Sequence, residues 1–145
     1  MKIVISGTGL YTPEEGISNV ELVESFNKFV QQFNDTHQHE IAAGKIEPLQ
    51  ESSAEFITKA SGIKHRYVVN KAGILDTHLM RPNLPERSNE QMSLQCEMAF
   101  SAAKQAMQQA NKTGEDIDFV IVACSNMQRP YPAMAIELQQ ALMIN

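Results

Sequence analysis

The chain has 145 residues, of which 43% are hydrophobic and 20% charged, and its formal net charge is −5. This composition is ordinary for a soluble globular domain, and the negative charge argues against a nucleic-acid partner, which needs clustered positive charge. The sequence has no apolar run near the roughly 20 residues of a membrane span, and no signal peptide. Cys96 and Cys124 fit no metal-binding or CxxC spacing, so we expect reduced thiols, no metal and a cytoplasmic protein.

The first predicted element is a strand from Lys2 to Leu10 that enters a glycine-bearing turn. Gly7 and Gly9 suggest a dinucleotide-binding loop, but the full fingerprint needs a third glycine where this chain has Thr12. The better interpretation is that the two glycines let the strand pass close to another backbone.

Two capping signals predict the helices that follow. Ser18 and Glu21 have the form of a capping box, and the apolar residues behind them recur at helical spacing. The stretch Ser52-Ser53-Ala54-Glu55 repeats the signal and predicts a helix that ends at Gly62, because glycine readily adopts the left-handed conformation found after helix ends. A short strand over residues 65–70 comes next.

The following segment, residues 71–87, contains a glycine and two prolines and is predicted to be an irregular surface excursion. Ser88 and Gln91 then form a third capping box for a helix over 89–111, after which Gly114 follows. The apolar stripe of this helix includes Cys96, which we expect in the core.

The apolar run at 117–123 is typical of a parallel strand covered on both faces. The next helix should begin at Pro132, whose missing N–H costs nothing at the first helical position. This alternation of strands and helices predicts an α/β fold, with helix 89–111 as a right-handed crossover between parallel strands. A complete unit would continue into a further strand, so we expect the chain to be part of a longer polypeptide.

Three stretches resemble the ketoacyl-acyl-carrier-protein synthases of the type III group: SGTGLYTPEEGISNVEL, SSAEFITKASGIKHRYV and DFVIVACSNMQRPYPAMAIELQQALMIN. The resemblance implies that residues 1–145 are the N-terminal portion of a partial thiolase-like fold, a mixed, largely parallel sheet with helices on its faces. Two insert-like segments, near 27–51 and 70–88, fall outside the resemblance. The family's nucleophilic cysteine lies beyond the position matching Asn145, and its His and Asn partners lie further on, so the resemblance implies no catalytic residue here.

The resemblance also implies a function for the parent protein. It would be an acyltransferase of fatty acid biosynthesis that catalyses decarboxylative Claisen condensation, using acyl thioesters of acyl-carrier protein or coenzyme A, as a homodimer without a bound cofactor. We expect this chain alone to be inactive, and to self-associate through the apolar surface of 117–123 and the helix after it. The alternative is a stand-alone non-enzymatic module that binds an acyl-carrier protein or a partner subunit.

Two positions are implied as site residues. Tyr131, held between prolines, matches an aromatic residue that crosses a homodimer interface and shapes the partner's acyl pocket, so Tyr131 and Pro132 are the predicted interface residues and Tyr131 a substrate contact. The alternative is an ordinary packed tyrosine at a helix start.

Phe56 matches a tryptophan that stacks on the adenine of coenzyme A, but Ala60 stands where an assisting arginine is found. Phe56 is therefore a candidate for substrate binding, although packing in the core is the favoured interpretation. The missing arginine also favours an acyl primer bound to a carrier protein over one bound to coenzyme A.

Three further groups have both a chemical and a structural interpretation. Cys124 at a strand end could be the nucleophile of a small thioester enzyme, but it matches a small strand residue of the family, so we expect it to be buried. His37 and His39 could bind zinc, although a solvated loop is the better interpretation. Lys64-His65-Arg66 could contact an anion or a carrier, and more often would form a solvated strand edge.

Overall fold

The computed structural model describes residues 3–145, and the chain divides into two compact units. One unit consists of Thr12–Pro85, and the other combines the residues up to Tyr11 with Glu86–Asn145. Within residues 3–145, every helix is too short or too polar to cross a membrane.

The Thr12–Pro85 unit contains a two-stranded antiparallel sheet. Strand β1 (Glu15–Ser18) pairs with strand β2 (His65–Val68) in a register that places Ser18 opposite His65. Gly16 suits this register because a Cβ atom there would overlap the imidazole of His65. The predicted strand at 65–70 is confirmed in its first four residues.

Helix α1 (Asn19–Thr36) begins directly after β1, and the predicted capping box is confirmed. The Glu21 backbone N–H donates to Ser18 Oγ at 3.2 Å, and the Ser18 N–H donates to Glu21 Oε2 at 2.9 Å. These bonds satisfy donors that the first helical turn would otherwise leave free. A short helix α2 (Gln38–Ala42) follows.

Helix α3 (Ala54–Ser61) has both predicted ends. Its cap Ser53 accepts a backbone hydrogen bond at 3.1 Å, and Gly62 closes the helix with a φ of 72°.

The predicted irregular excursion at 71–87 is wrong in its first part, where helix α4 (Lys71–Leu75) forms.

Two asparagines of α1 attach the segment that leads into α3. The Asn27 side chain both donates to and accepts from the Ser52 backbone, at 3.0 and 2.9 Å. The Asn34 side chain makes the same reciprocal pair with Leu49, also at 3.0 and 2.9 Å. An amide side chain has a donor and an acceptor like a peptide group, so it can hold extended backbone without a strand.

The second unit is organised around helix α5 (Leu94–Ala110). The extended residues 3–10 lie against it, and a Cβ atom at Gly7 or Gly9 would overlap backbone atoms of α5. The interpretation of these glycines as points of close backbone approach is therefore confirmed. The Thr8 N–H donates to the Gln109 side chain at 2.6 Å. Lys2, the first residue of the predicted strand, lies outside the described residues.

Helix α5 begins later than predicted. Ser88 does bond Gln91, but this makes only a turn, and the cap is Ser93, whose Oγ accepts from the Cys96 N–H at 3.2 Å. The helix ends at Asn111, with a φ of 52°, before Gly114 is reached. A sequence with two suitable serines does not reveal which one the helix uses.

A 3₁₀ turn (Gly114–Asp116), an extended segment and helix α6 (Met134–Ala141) complete the unit. Pro132 is not the first helical residue, because Ala133 occupies the N-terminal boundary. The peptide bond before Pro132 is cis. Helices α5 and α6 pack against each other.

The predicted largely parallel sheet is wrong for residues 3–145, whose regular sheet is the antiparallel β1–β2 pair. Residues 3–10 and 117–124 are extended but are not assigned to any strand. A strand requires a neighbouring backbone that supplies its hydrogen bonds, and within the described residues neither segment has a ladder partner.

Several large apolar side chains of the described residues are exposed, among them Ile3, Ile5, Phe119 and Ile121. The buried apolar core in residues 3–145 consists of Ile17, Val30, Cys96, Leu138 and Ile144. Much of the apolar surface of the chain is therefore not covered by the chain itself.

Candidate functional site

A charged cluster lies where the start of α5 meets α6. The Ser93 hydroxyl donates to Glu137 Oε2 at 2.5 Å while its oxygen accepts from the Cys96 N–H. On the other side of the carboxylate, Arg129 Nη1 lies 3.4 Å from Glu137 Oε1. Ser93 is buried, and the Glu137 side chain is only 9% exposed. The helix cap and the ion pair thus share one carboxylate.

Arg129 also holds the backbone that precedes α5. Its Nη2 donates to the Gln91 carbonyl at 3.0 Å and its Nη1 to the Asn89 carbonyl at 3.5 Å. The planar guanidinium can serve a carboxylate and carbonyls together because its donors point in fixed, divergent directions. A cavity of about 280 Å³ lies beside the pair, and Pro132 is part of its wall.

A second set of bonds joins the segment 126–128 to α5. The Gln128 N–H donates to Gln95 Oε1 at 2.8 Å, and the Gln95 N–H donates to Gln128 Oε1 at 3.2 Å. Gln95 Nε2 also donates to the Asn126 carbonyl at 2.6 Å. Neutral groups therefore attach the segment to α5 at Gln128. The charged Arg129 attaches it to the backbone before α5 and to Glu137 of α6.

The buried thiol in this region is not a nucleophile. Burial, assisted by the neighbouring Glu137 carboxylate, raises the pKa of Cys96 to about 11. A thiol with this pKa is protonated near neutral pH, and the thiolate is the reactive form. Cys96 is a core residue, as predicted.

Cys124 is exposed, so the prediction that it is buried is wrong. It follows the extended run 117–123 directly, and that run has no neighbouring strand within residues 3–145 to cover its end. Exposure alone does not make a thiol a catalytic group, since activation also requires a base or a positive charge beside it.

Tyr131 is 87% exposed, just beyond the attached residues, and Pro132 is half-buried. The alternative of an ordinary packed tyrosine is therefore wrong for the described chain. Tyr131 stands between two prolines that fix their own φ angles, so its backbone has little freedom.

Phe56 is 66% exposed on α3, so the favoured interpretation of core packing is wrong. It follows Ser53 in the first turn of the helix, and Ala60, one turn later, is also exposed. Tyr67 on β2 is another exposed aromatic residue of this unit. The described structure leaves Phe56 available for a ligand or a partner.

Two residues of the basic triplet at 64–66 form a solvated strand edge, and the third, Arg66, makes a structural hydrogen bond. Lys64 and His65 are exposed, whereas Arg66 Nη1 donates to Asn19 Oδ1 at 2.8 Å. Asn19 is buried and its amide also donates to the Ile63 carbonyl at 2.7 Å. Arg66 therefore helps to join β2 to the start of α1.

The two histidines lie at the junction of α1 and α2 and not in a solvated loop. The His37 ring stacks on Phe33 with centroids 4.2 Å apart, and its Nδ1 lies 2.8 Å from the Phe33 carbonyl. Among residues 3–145, no three metal-binding side chains come together in a potential site. The ring of His37 thus has a packing role.

A cavity of about 630 Å³ in the Thr12–Pro85 unit has walls of mixed charge that include Lys28, Asp76 and His78. The His78 backbone N–H donates to Asp76 Oδ1 at 2.8 Å, which lowers the pKa of that carboxyl. The nearby Lys71–Glu21 ion pair, together with the bonds from Ser18, lowers the pKa of Glu21 to about 2. These groups stabilise the fold locally and do not form a nucleophile–base pair.

Comparison with known proteins identifies the relatives of this chain. Over 120 residues, 83% of the chain, it is 60% identical to a beta-ketodecanoyl-acyl-carrier-protein synthase of Pseudomonas aeruginosa. Over 138 residues it is 28% identical to a beta-ketoacyl-acyl-carrier-protein synthase III of Geobacillus kaustophilus. The chain is homologous to part of these synthases. It spans about a third of their length, 34% and 30% respectively.

The solved structures agree with this family. The crystal structure of 3-oxoacyl-acyl-carrier-protein synthase III from Aquifex aeolicus matches 96% of this chain and 30% of its own, with a TM-score of 0.57 and 26% identity. No family model matches the chain. The relatives named here are synthases, so the comparisons do not favour the alternative of a stand-alone non-enzymatic binding module.

The resemblance to the synthases implies a role for Tyr131, but it does not predict the residues that attach the segment around Tyr131 to the helices. Arg129 and Glu137 lie eight positions apart, and Gln95 is still further from Gln128, so no local motif joins them. The available signal was Glu137, the one charged residue of helix α6. Its partner could be named only after α5, α6 and the segment between them were placed together.

Proposed function

We propose that residues 1–145 are the N-terminal portion of a 3-oxoacyl-acyl-carrier-protein synthase of type III. The observation that carries this proposal is the 60% identity to a named synthase over 83% of the chain. Because the chain spans about a third of that relative, the activity belongs to a longer protein. The chain by itself is expected to be inactive.

The reaction is a decarboxylative Claisen condensation. A cysteine thiolate attacks the carbonyl of an acyl thioester, and the carrier leaves as a thiolate. Malonyl-carrier protein then loses CO₂, and its carbanion attacks the acyl-enzyme, forming the new carbon–carbon bond and releasing the enzyme thiolate. Hydrogen-bond donors around the carbonyl stabilise the negative charge in both attacks. The family resemblance assigns the cysteine and its His and Asn partners to positions beyond Asn145.

The name of the Pseudomonas relative suggests the substrate class. A beta-ketodecanoyl product has ten carbons, and condensation adds two, so the acyl group entering the reaction has eight. We propose a medium-chain acyl thioester as the primer. Phe56 is the proposed contact with its carrier, and the absence of an arginine at Ala60 favours acyl-carrier protein over coenzyme A.

The exposed apolar segments support a larger assembly. Ile3, Ile5, Phe119 and Ile121 are large side chains that remain open to solvent in the described chain. We propose that 3–10 and 117–123 become neighbouring strands of a largely parallel sheet when the rest of the protein covers them. Tyr131 and Pro132 are proposed to lie at a homodimer interface, with Tyr131 facing the partner's acyl pocket. The segments near 27–51 and 70–88 remain family-specific additions in this proposal, and the protein is proposed to be cytoplasmic.

The test uses the complete natural protein that contains this chain. It is incubated with octanoyl-coenzyme A or octanoyl-carrier protein and with malonyl-carrier protein, and intact mass spectrometry follows both enzyme and product. We expect an octanoyl adduct on the enzyme and 3-oxodecanoyl-carrier protein as the product. An enzyme that forms no 3-oxoacyl product from primers of two to ten carbons would overturn the proposal.

A matched variant examines the exposed thiol. Cys124→Ala should keep both the adduct and the product. Loss of the adduct in this variant would instead identify Cys124 as the nucleophile.

A further inference from the structure

The segment 126–132 carries one highly exposed aromatic side chain on a firmly attached backbone. The side chain of Tyr131 is 87% exposed, so its packing within the described unit contributes little to its position. Its position is set instead by the two flanking prolines and by the attachments at Gln128 and Arg129. The groups that hold those two residues therefore control where the ring can lie.

The charged attachment is the more buried part of this arrangement. Arg129 is 18% exposed and Glu137 9% exposed, so both charges have lost most of their water and depend on each other. Arg129 additionally bonds the carbonyls of Asn89 and Gln91, and Glu137 accepts from Ser93. One ion pair thus links the Tyr131 segment, the approach to α5 and helix α6.

We propose that Arg129 and Glu137 are positioning residues that fix the segment 126–132 against helix α6 and the backbone before α5, and thereby set how far an acyl chain can extend towards Tyr131. This inference rests on the proposed function, in which Tyr131 faces an acyl pocket. In this inference, neither residue has a catalytic role. Their effect is on chain-length selectivity, because in the proposed function a longer acyl chain extends further towards the aromatic ring than a shorter one.

The experiment compares chain-length profiles of the complete protein and its variants. In Arg129→Gln we expect the ratio of kcat/KM for octanoyl over butyryl thioesters to fall by about tenfold, since small misplacements of a binding group have large kinetic effects. The change should appear in KM for the octanoyl substrate, with kcat for butyryl preserved. Arg129→Lys should restore part of the ratio, because it keeps the charge but not the divergent donors.

Arg87→Gln is the matched control. Arg87 also pairs with a glutamate of α5, at 2.8 Å from Glu97, and donates to the Met92 carbonyl, but it does not hold the Tyr131 segment. Its profile should equal that of the unmodified protein. If Arg87→Gln shifts the ratio as much as Arg129→Gln does, or if neither shifts it, the inference is overturned.

Two outcomes separate this inference from the proposed function. A complete protein that makes no 3-oxoacyl product overturns the proposed function, whereas an active protein with an unchanged profile in folded Arg129 variants overturns only the positioning role. If Arg129→Gln does not fold, Gln95→Ala decides, because it removes the neutral attachment and leaves the ion pair. We expect it to lower the same ratio by a smaller factor, and no change would contradict the inference.

Discussion

Two regions of this chain contain extended backbone with apolar side chains, and they differ in what surrounds them. In the Thr12–Pro85 unit, β1 and β2 pair with each other, and Ile17 of β1 is 1% exposed. In the other unit, residues 117–123 are extended without a strand partner, and Ile121 is 80% exposed. The same type of residue in the same backbone conformation therefore contributes very differently to stability in the two regions.

The largest expected effect comes from truncating one isoleucine in each region of the 145-residue chain. Ile17→Ala should lower the free energy of unfolding by about 2–5 kcal/mol, because it removes buried methyl groups and leaves a cavity. Ile121→Ala should change it by less than about 0.5 kcal/mol, as exposed substitutions usually do. Urea denaturation followed by circular dichroism measures both. Equal losses would mean that 117–123 is buried in solution, as self-association of the chain would produce.

A smaller effect is expected where residues 3–10 lie against α5. Gly9→Ala should cost about 1–3 kcal/mol of local stability, because the new methyl group meets the backbone of Ala102. Hydrogen exchange of the Leu10 amide, which donates to the Gln105 side chain at 3.2 Å, should accelerate accordingly. Val4→Ala, at an exposed position, is the control. Unchanged exchange in Gly9→Ala would show that the close contact does not persist in solution.

The smallest expected effect is on the pH dependence of stability, through the cap of α1 in the Thr12–Pro85 unit. The folded-state pKa of Glu21 is lowered from 4.5 to about 2, so its stabilising contribution is complete above pH 4.5 and is lost as the pH falls towards 2. The ion pair with Lys71 is partly exposed, and salt should therefore weaken the effect. Acid titration of unfolding should show a shallower loss over this range in Glu21→Gln. A variant with the unmodified pH dependence would contradict this assignment.

Local chemistry accounts for the predictions that the structure confirms. Ser18 with Glu21 and Ser53 with Gly62 specify helix ends through bonds within a few residues, and the core position of Cys96 follows from its place on an apolar stripe. Two of the predictions that are wrong concern exposure. Phe56 and Cys124 were expected to be buried, but burial depends on what covers a side chain, which local sequence does not specify.

The sequence by itself determined the four longer helices, the caps of α1 and α3, the close approach of two glycines to another backbone and the family to which the chain is related. Each follows from interactions between near neighbours or from similarity along the chain. Only the tertiary structure decided that β1 pairs with β2, that Ser93 and not Ser88 caps α5, and that Arg129 meets Glu137. These outcomes depend on groups distant in sequence, or on a choice between two equally suitable local caps, and packing of the elements resolves both.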